Sequence, residues 1–245
     1  MFHSTHARLL PLSADVGVIE AVAVFVTATI ALQTFLFATA AAVEFSRRRS
    51  ERNLGQILSE LRGSLSNPPA AILTTMAWDL LVRPHTPSAQ RYSAHDMSLA
   101  SMPRIDRLLL EWLAVFVATD FYIYFEHRLM HTRFWYTRIH KHHHQFHTPT
   151  AFAGFAQHPL EAVLFTVGSL WIQAIPPRHA FVAIHPFAHA AFGVFGITWT
   201  ILSHDDRSYH DGGFHYLHHL HQQSNFGGFT HLWDCLFRTR RTKHP

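Results

Sequence analysis

The densest cluster of potential metal ligands in the chain is a segment in which seven of 21 residues are histidine. His127 and His131 stand four residues apart, and His140, His143 and His144 stand at spacings of three and four. On an α-helix these spacings place imidazole rings on one face, about one turn apart. Two such rings can converge on one ion, so the spacing predicts a metal site.

The same spacing returns near the C-terminus, at His215, His218 and His219, and His204 follows the last long apolar segment. A histidine-rich run can be a solvated low-complexity tract, but three spaced sets favour metal binding. The single cysteine, Cys235, excludes a cysteine-based site, so the ligands must be nitrogen or oxygen. Nine candidate histidines are more than one ion can use, and they indicate two ions.

The composition indicates a membrane protein. Only 15% of the residues are charged, 21 are phenylalanine, and residues 21–43 carry no formal charge. A stretch of that length crosses a hydrocarbon core of ~30 Å. Further apolar segments at residues 70–82, 108–125, 160–175 and 180–202 predict an all-α membrane bundle of about four to five segments. The net charge of +4 is clustered at segment ends and gives no sign of a nucleic-acid-binding face.

The order of the segments predicts which ends share a side of the membrane. Arg47, Arg48, Arg49 and Arg52 follow the first segment, and the positive-inside rule places that end in the cytosol. If residues 70–82 cross despite their short length, all three histidine sets return to the same side. We therefore expect a helical cap with the histidines on the cytosolic face, at the endoplasmic reticulum of a eukaryote or the inner membrane of a bacterium.

Other polar residues within the apolar segments have two interpretations each. Asp120 shares a helical face with His127, and we expect its carboxylate either to accept the second ring N–H of a ligand histidine or to close an interhelical hydrogen bond. His185 and His189 form another i, i+4 pair inside an apolar segment. For them we favour hydrogen-bonded packing over metal binding.

The order of these motifs resembles the fatty acid hydroxylase and sterol desaturase superfamily. The likeness runs from about residue 120 to residue 239 and is carried by HRLMH from His127, HKHHH from His140, HPLE from His158, SHDD around His204, HYLHH from His215 and NFGGFTHLWDCLFRT from Asn225. ITWTILSHDD, HYLHH and NFGGFTHLWD look most similar to the sterol C-5 desaturase branch. Arg238 stands where a glycine is common in the superfamily, so we expect the turn after that helix to differ.

Members of the superfamily are integral membrane proteins that hold a non-haem di-iron site with histidines and use O₂ and electrons from a carrier. By position, the resemblance implies that the metal ligands are His127, His131, His140, His143, His144, His204, His215, His218 and His219, with no catalytic residue beyond them. The candidates for outer-shell roles are Asp120, His158, Asp205, Asn225 and Asp234. Because a proline follows His158 and marks a helix entry, a structural role is equally open for that histidine.

The resulting hypothesis is an O₂-dependent di-iron oxidoreductase that desaturates or hydroxylates a C–H bond of a sterol-like or long-chain lipid, with zinc able to replace iron on overexpression. The alternative is a histidine-rich membrane protein that binds or transports metal without oxidase activity. The sequence contains no flavin, nicotinamide or haem-binding fingerprint, so we expect an external electron donor, either cytochrome b5-like or a ferredoxin with its reductase. We expect a single membrane domain over residues 1–245, with N-terminal segments and a polar loop in residues 1–104 and the catalytic region in residues 105–245.

Overall fold

A computed structural model describes residues 14–46, 53–86, 88–89, 101–174, 183–205 and 213–242. Every regular element among them is helical, which confirms the predicted all-α class. The numbered helices are α1 (Ala14–Phe45), α2 (Leu54–Ser64), α3 (Asn67–Leu81), α4 (Ile105–Met130), α5 (Pro159–Leu170), α6 (Pro186–His204), α7 (Phe214–His221) and α8 (Leu232–Leu236). One further segment, the cap helix, joins Arg133–Trp135, the π-turn Tyr136–His140 and Lys141–His144.

Three of these helices are long and apolar enough to span a membrane: Gly17–Phe45, Ile105–Met130 and Pro186–His204. Pro159–Ala174 is a shorter apolar helix. The 15 residues of α3 extend about 22 Å, less than a hydrocarbon core of ~30 Å. The protein is therefore a membrane protein whose helices agree with the predicted four to five segments, and a full crossing by residues 70–82 stays a prediction.

Five helices form a closed ring. α1 packs against α3, α3 against α5, α5 against α4, α4 against α6, and α6 against α1. In chain order these five helices alternate in direction, so that α4 and α6 finish at the end where α5 begins. We call that end of the ring the histidine end, because the last residue of α6 is His204 and the last turn of α4 contains His127.

Hydrogen bonds between distant segments fix both ends of the ring. At the histidine end, Asn67 at the start of α3 donates to the carbonyl of Phe155, 2.5 Å away. At the opposite end, the backbone N–H of His185 donates to Glu111, 2.8 Å away. The alternating order that the sequence predicted is therefore present, whereas the arginine cluster at residues 47–52 lies outside the described residues.

Prolines mark the start of three helices in the ring. α3, α5 and α6 each have proline in the first turn, where the missing N–H would have no helical partner in any case. Asn67-Pro68-Pro69 also separates two helices, since α2 ends at Ser64 and α3 begins at Asn67. Proline is well tolerated in the first turn, so the new helix starts at the motif itself.

Two apolar cores hold the ring together on either side. One joins α1, α2 and α6 to the 3₁₀ turn Ala151–Phe155 near the histidine end, and it includes Leu36 and Ile201. The other joins α4 to α6 through Val115, Phe192 and Phe229. Between membrane helices such side chains stabilise the bundle through van der Waals packing. The two cores hold α4 and α6 in place, and these helices contain two of the nine candidate ligands, His127 and His204.

Candidate metal centre

The nine predicted ligands lie together at the histidine end, in two groups. The five-histidine group consists of His127, His131, His140, His144 and His218; the four-histidine group consists of His143, His204, His215 and His219. Within each group one ring nitrogen of every member lies within 4.8 Å of the others. Histidines from α4, the cap helix, α6 and α7 thus converge, although they are up to 92 residues apart in sequence.

The two groups are interlaced along the chain. His140 and His144, four residues apart in the cap helix, belong to the five-histidine group, whereas His143 belongs to the other. In α7 the pattern is reversed, with His218 alone in the five-histidine group. The two histidines of each i, i+4 pair therefore belong to the same group. The third histidine of the cap helix and of α7, at i+3, belongs to the other group, so each of these helices contributes to both groups.

The donor spacing matches that of ligands around a single ion. In the five-histidine group the Nε2 atoms of His131, His140, His144 and His218 form a ring whose edges measure 3.0–3.1 Å. Two nitrogens that bind one ion at ~2.1 Å and at right angles lie ~3 Å apart. In the four-histidine group, the Nε2 atom of His204 lies 3.1 Å from those of His143 and His215.

Oxygen acceptors orient six of the nine rings. The Nδ1 atom of His140 donates to the Glu161 carboxylate at 2.7 Å, and that of His218 donates to the Ser224 carbonyl at 2.7 Å. Backbone carbonyls accept in the same way from four further rings, those of His127, His143, His204 and His219. A neutral imidazole that donates through Nδ1 has a bare lone pair on Nε2.

These orientations favour a bound cation. His143 and His204 both donate through Nδ1, so two bare Nε2 lone pairs face each other at 3.1 Å. A proton between them is disfavoured, because burial and the neighbouring imidazoles hold the pKa of His143 well below its ordinary value. Burial likewise lowers the pKa of His140 to about 3. Neutral, converging nitrogens are the ligand form that iron, zinc and copper bind, so the residues fit a metal centre.

Asp120 does not contact a ligand histidine. Its carboxylate accepts from the backbone N–H groups of Phe229 and Thr230, from the Thr230 hydroxyl and from the Trp233 indole, at 2.5–3.1 Å. The expectation that Asp120 orients a ligand ring is therefore wrong, and the alternative of an internal structural hydrogen bond describes it better. The reason is geometric: the loop before α8 packs against α4 and takes both carboxylate oxygens.

The side chains of Asn225 and Asp234 support the ligand rings indirectly, through the backbone. Asn225 is fully buried in the left-handed region (φ 62°), and its two neighbours supply the carbonyls that accept from His218 and His127. Asp234 accepts from the N–H groups of Phe226 and Gly227 at 2.9 and 2.7 Å. These side chains hold the loop whose backbone orients two rings.

The other two outer-shell candidates differ from each other. His158 caps α5, since its Nδ1 accepts from the N–H of Leu160 at 3.1 Å, and its ring lies 5.6 Å from that of exposed His142 in a tilted arrangement. His158 thus has the structural role. Asp205 is fully buried directly after His204, and its outer-shell role stays a prediction.

Two carboxylates near the rings were missed in the sequence. Glu161 is buried and bonds His140, the role that had been expected of Asp120. Glu126 lines a cavity that lies beside the rings. A glutamate inside an apolar segment is a recognisable signal, because ionisable groups in membrane segments are costly and tend to be functional. HPLE contained that signal for Glu161.

A cavity of about 70 Å³ lies beside the rings on the side of the helix ring. Its wall contains three members of the four-histidine group and two of the five-histidine group, together with apolar residues such as Phe155, Phe165 and Phe229. Small-molecule sites are typically concave and mostly apolar with a few convergent polar groups. The arrangement can present a C–H bond of an apolar molecule to bound metal.

A model of the fatty acid hydroxylase family matches residues 112–239, which is more than half of the chain and includes all nine histidines. This chain belongs to the fatty acid hydroxylase family. The resemblance stated from the sequence motifs is thereby confirmed. No solved structure matches the chain.

Three of the similar proteins have names of sterol-modifying enzymes. A Delta(7)-sterol 5(6)-desaturase of Eremothecium gossypii is 32% identical over 191 residues, which are 74% of this chain and 50% of that protein. The Delta(7)-sterol 5(6)-desaturase of Leptosphaeria maculans is 37% identical over 48% of this chain and 33% of its own length. Lathosterol oxidase of Mus musculus is 32% identical over 56% of this chain and 46% of its own. The chain thus spans a third to a half of these relatives.

Proposed function

We propose that this member of the fatty acid hydroxylase family is a membrane-bound, O₂-dependent, non-haem di-iron oxidoreductase. It desaturates or hydroxylates a C–H bond of a sterol-like or long-chain lipid. The observation that supports the proposal most directly is the pair of facing Nε2 lone pairs within two interlaced histidine groups beside an apolar-lined cavity. The printed names of the relatives, sterol desaturases and a lathosterol oxidase, point to the same chemistry.

In this proposal the five-histidine group holds one iron and the four-histidine group holds the other. When bound, the iron pair supplies the reductive activation of O₂ that attack on an unactivated C–H bond requires. The chain's own contribution is to fix the rings through Glu161 and the backbone carbonyls, to keep the donors neutral, and to enclose the site. Zinc in an overexpressed preparation would be a replacement for iron.

The four-histidine group is the more accessible half of the site. Three of its members, His143, His204 and His215, line the cavity. In the five-histidine group only His127 and His140 do so. Substrate and O₂ therefore approach from the side of the four-histidine group.

The proposal also includes an electron donor and an orientation in the membrane. Electrons come from an external donor of the cytochrome b5 or ferredoxin type, since the family site has no electron source of its own. The histidine end faces the cytosol, at the endoplasmic reticulum of a eukaryote or the inner membrane of a bacterium, as the arginines after α1 suggest. Residues 105–245 form the catalytic region of a single membrane domain.

A metal transporter is the weaker alternative. Transport requires polar groups distributed along the membrane segments. Here the donors are collected at one end of the ring, and the space between the helices is bounded mainly by apolar side chains such as Leu36 and Phe192. The geometry therefore favours chemistry at a fixed site over passage of an ion.

Turnover under ¹⁸O₂ tests the proposal and separates its two reaction types. Purified protein in liposomes is supplied with iron, a ferredoxin and its reductase, and either a Δ7-unsaturated sterol or a long-chain acyl lipid, and products are analysed by mass spectrometry. Hydroxylation places ¹⁸O in the lipid, whereas desaturation gives an unlabelled alkene that is two hydrogens lighter. His143→Ala is the inactive control. Absence of either product from iron-loaded protein with every lipid would contradict the proposal.

A further inference from the structure

The five-helix ring encloses a cavity of about 130 Å³ to which every helix of the ring contributes. Leu36 of α1, Ala71 of α3, Thr119 of α4, Phe165 of α5 and Gly196 of α6 are among the lining residues. We call this space the lumen. Because all five helices bound this cavity, it is a feature of the whole ring and not a packing defect between two helices.

The lumen continues into the cavity beside the histidines. Phe155, Gln157, Phe165 and Phe229 line both spaces. At this junction the Gln157 amide donates to the Asn67 side chain at 2.9 Å, so these amide groups are paired with each other. The lumen is thus an apolar extension of the candidate metal centre, directed along the membrane helices.

Two glycines keep the lumen open on the α6 side. A Cβ atom at Gly193 would meet nothing within 4 Å, and one at Gly196 would only touch the Phe229 ring at 3.7 Å. By contrast, a Cβ at Gly168 in α5 would lie 2.5 Å from Tyr122, so that glycine is needed for close packing. Glycine inside a helix costs about 1 kcal/mol relative to alanine. At Gly193 and Gly196 no close contact offsets that cost. The absence of a side chain there preserves the empty space of the lumen instead.

The wall of the lumen between α1 and α6 reaches the surface of the helix ring. Leu32 of α1 and Gly193 and Ile197 of α6 all line the lumen, and all three are only partly buried. Ile30, half a turn before Leu32 in α1, is 61% exposed. The lumen is therefore separated from the bilayer at this level only by residues that are themselves partly exposed.

We propose that the lumen binds the apolar body of the lipid substrate, that the lipid enters from the bilayer between α1 and α6 beside Gly193, and that Gly193 and Gly196 determine which lipids fit. This inference rests on the proposed function for the identity of the occupant. Gly193 precedes His204 by eleven residues, about 16 Å along the helix. A lipid that extends from the level of Gly193 to the histidines places one interior carbon at the metal centre and keeps the remainder in an apolar environment.

Lipid photolabelling tests the inference without turnover. Wild-type protein, Gly193→Leu, Gly196→Leu and the control Val194→Leu, whose side chain is 55% exposed outside the lumen, are labelled in liposomes with a photoactivatable cholesterol analogue or a photoactivatable palmitate. Labelled peptides and iron content are both measured. We expect one probe to label the lumen helices of the wild type and the control, at least tenfold less labelling in both lumen variants, and equal iron content in all four proteins.

The outcomes separate this inference from the proposed function. Undiminished labelling in Gly193→Leu, where the new side chain enters open space, would overturn the inference even if the enzyme is active. Absence of lumen labelling by both probes in the wild type would overturn it as well. Lumen labelling that falls in both lumen variants, in a protein that never oxidises lipid, would keep the inference and remove the proposed function. Preferential labelling by cholesterol or by palmitate identifies the lipid class.

Discussion

Both ends of the helix ring carry histidines at i, i+4 spacing, yet among the described residues only one end gathers donors for a metal. At the opposite end, the Nδ1 atom of His185 accepts from the Phe187 N–H, and the Nε2 atom of His189 donates to the Ser169 carbonyl. Each of these two rings forms its own hydrogen bond with the backbone. At the histidine end, the acceptors take Nδ1 and leave Nε2 directed inward, as in His140 and His218. Spacing brings rings to one face, but the acceptors decide whether a metal site results.

The largest expected effect follows from removing one ligand from either group. His143→Ala and His218→Ala should each abolish product formation and lower the bound metal, because each ring belongs to one group and packs against the other. A change in an outer-shell partner alone costs about 10–100-fold, so loss of a ligand should exceed that. His147→Ala and His231→Ala, which lie outside both groups, are the controls and should keep most activity. Equal tolerance at all four positions would contradict the ligand assignment.

Removing the acceptor of His140 should have the next largest effect. Glu161→Ala leaves the Nδ1–H of His140 without its carboxylate, and we expect metal affinity to fall about 10–100-fold. Glu161→Gln keeps an oxygen acceptor and should fall less. Affinity is measured by competition with a chelator of known strength. Asp120→Asn is the matched control, and an equal loss of affinity there would indicate that general packing explains the Glu161 effect.

Substitution at the opposite end should affect stability and leave metal binding intact. His185→Ala removes the side-chain cap of α6, which should lower the free energy of unfolding by about 1 kcal/mol. Thermal unfolding in detergent and metal content together check this. Loss of metal from His185→Ala with the fold intact would break the distinction between the two ends.

The smallest expected effect is a gain in stability at the end of α8. Arg238 adopts a left-handed backbone (φ 57°), a conformation that costs a side-chain-bearing residue roughly 1 kcal/mol. Arg238→Gly should therefore raise the free energy of unfolding by about that amount without changing metal content. Arg240→Gly, at a residue outside the left-handed region, is the control. An equal gain in Arg240→Gly would show that removal of positive charge, and not backbone strain, is responsible.

The turn at Arg238 differs from the one that the sequence predicted. From the missing glycine we expected a different turn, yet the left-handed turn that glycine favours is retained. Two backbone N–H groups, those of Thr239 and Arg240, bond the Asp234 carbonyl and hold it in place. Local sequence preference was overridden by the hydrogen bonds that close the helix.

The nine histidines and the alternating helices could be predicted, because spacing, segment length and order are properties of the sequence itself. The division into five and four could not. It depends on the rotation of the cap helix relative to α7, which sends His143 one way and His144 the other. The same holds for Asp120 and Glu161: both are carboxylates in apolar segments, and only the path of the loop at Phe229 shows which one reaches a ring.

X-ray absorption on iron-loaded protein, combined with metal analysis per chain, tests the central claim most directly. The claim is that two interlaced histidine groups hold two ions side by side. It predicts two irons per chain, a first shell of nitrogen or oxygen at about 2.1 Å without sulfur, and loss of iron in both His143→Ala and His218→Ala. A single iron per chain, a haem spectrum, or full iron content in both variants would contradict the account.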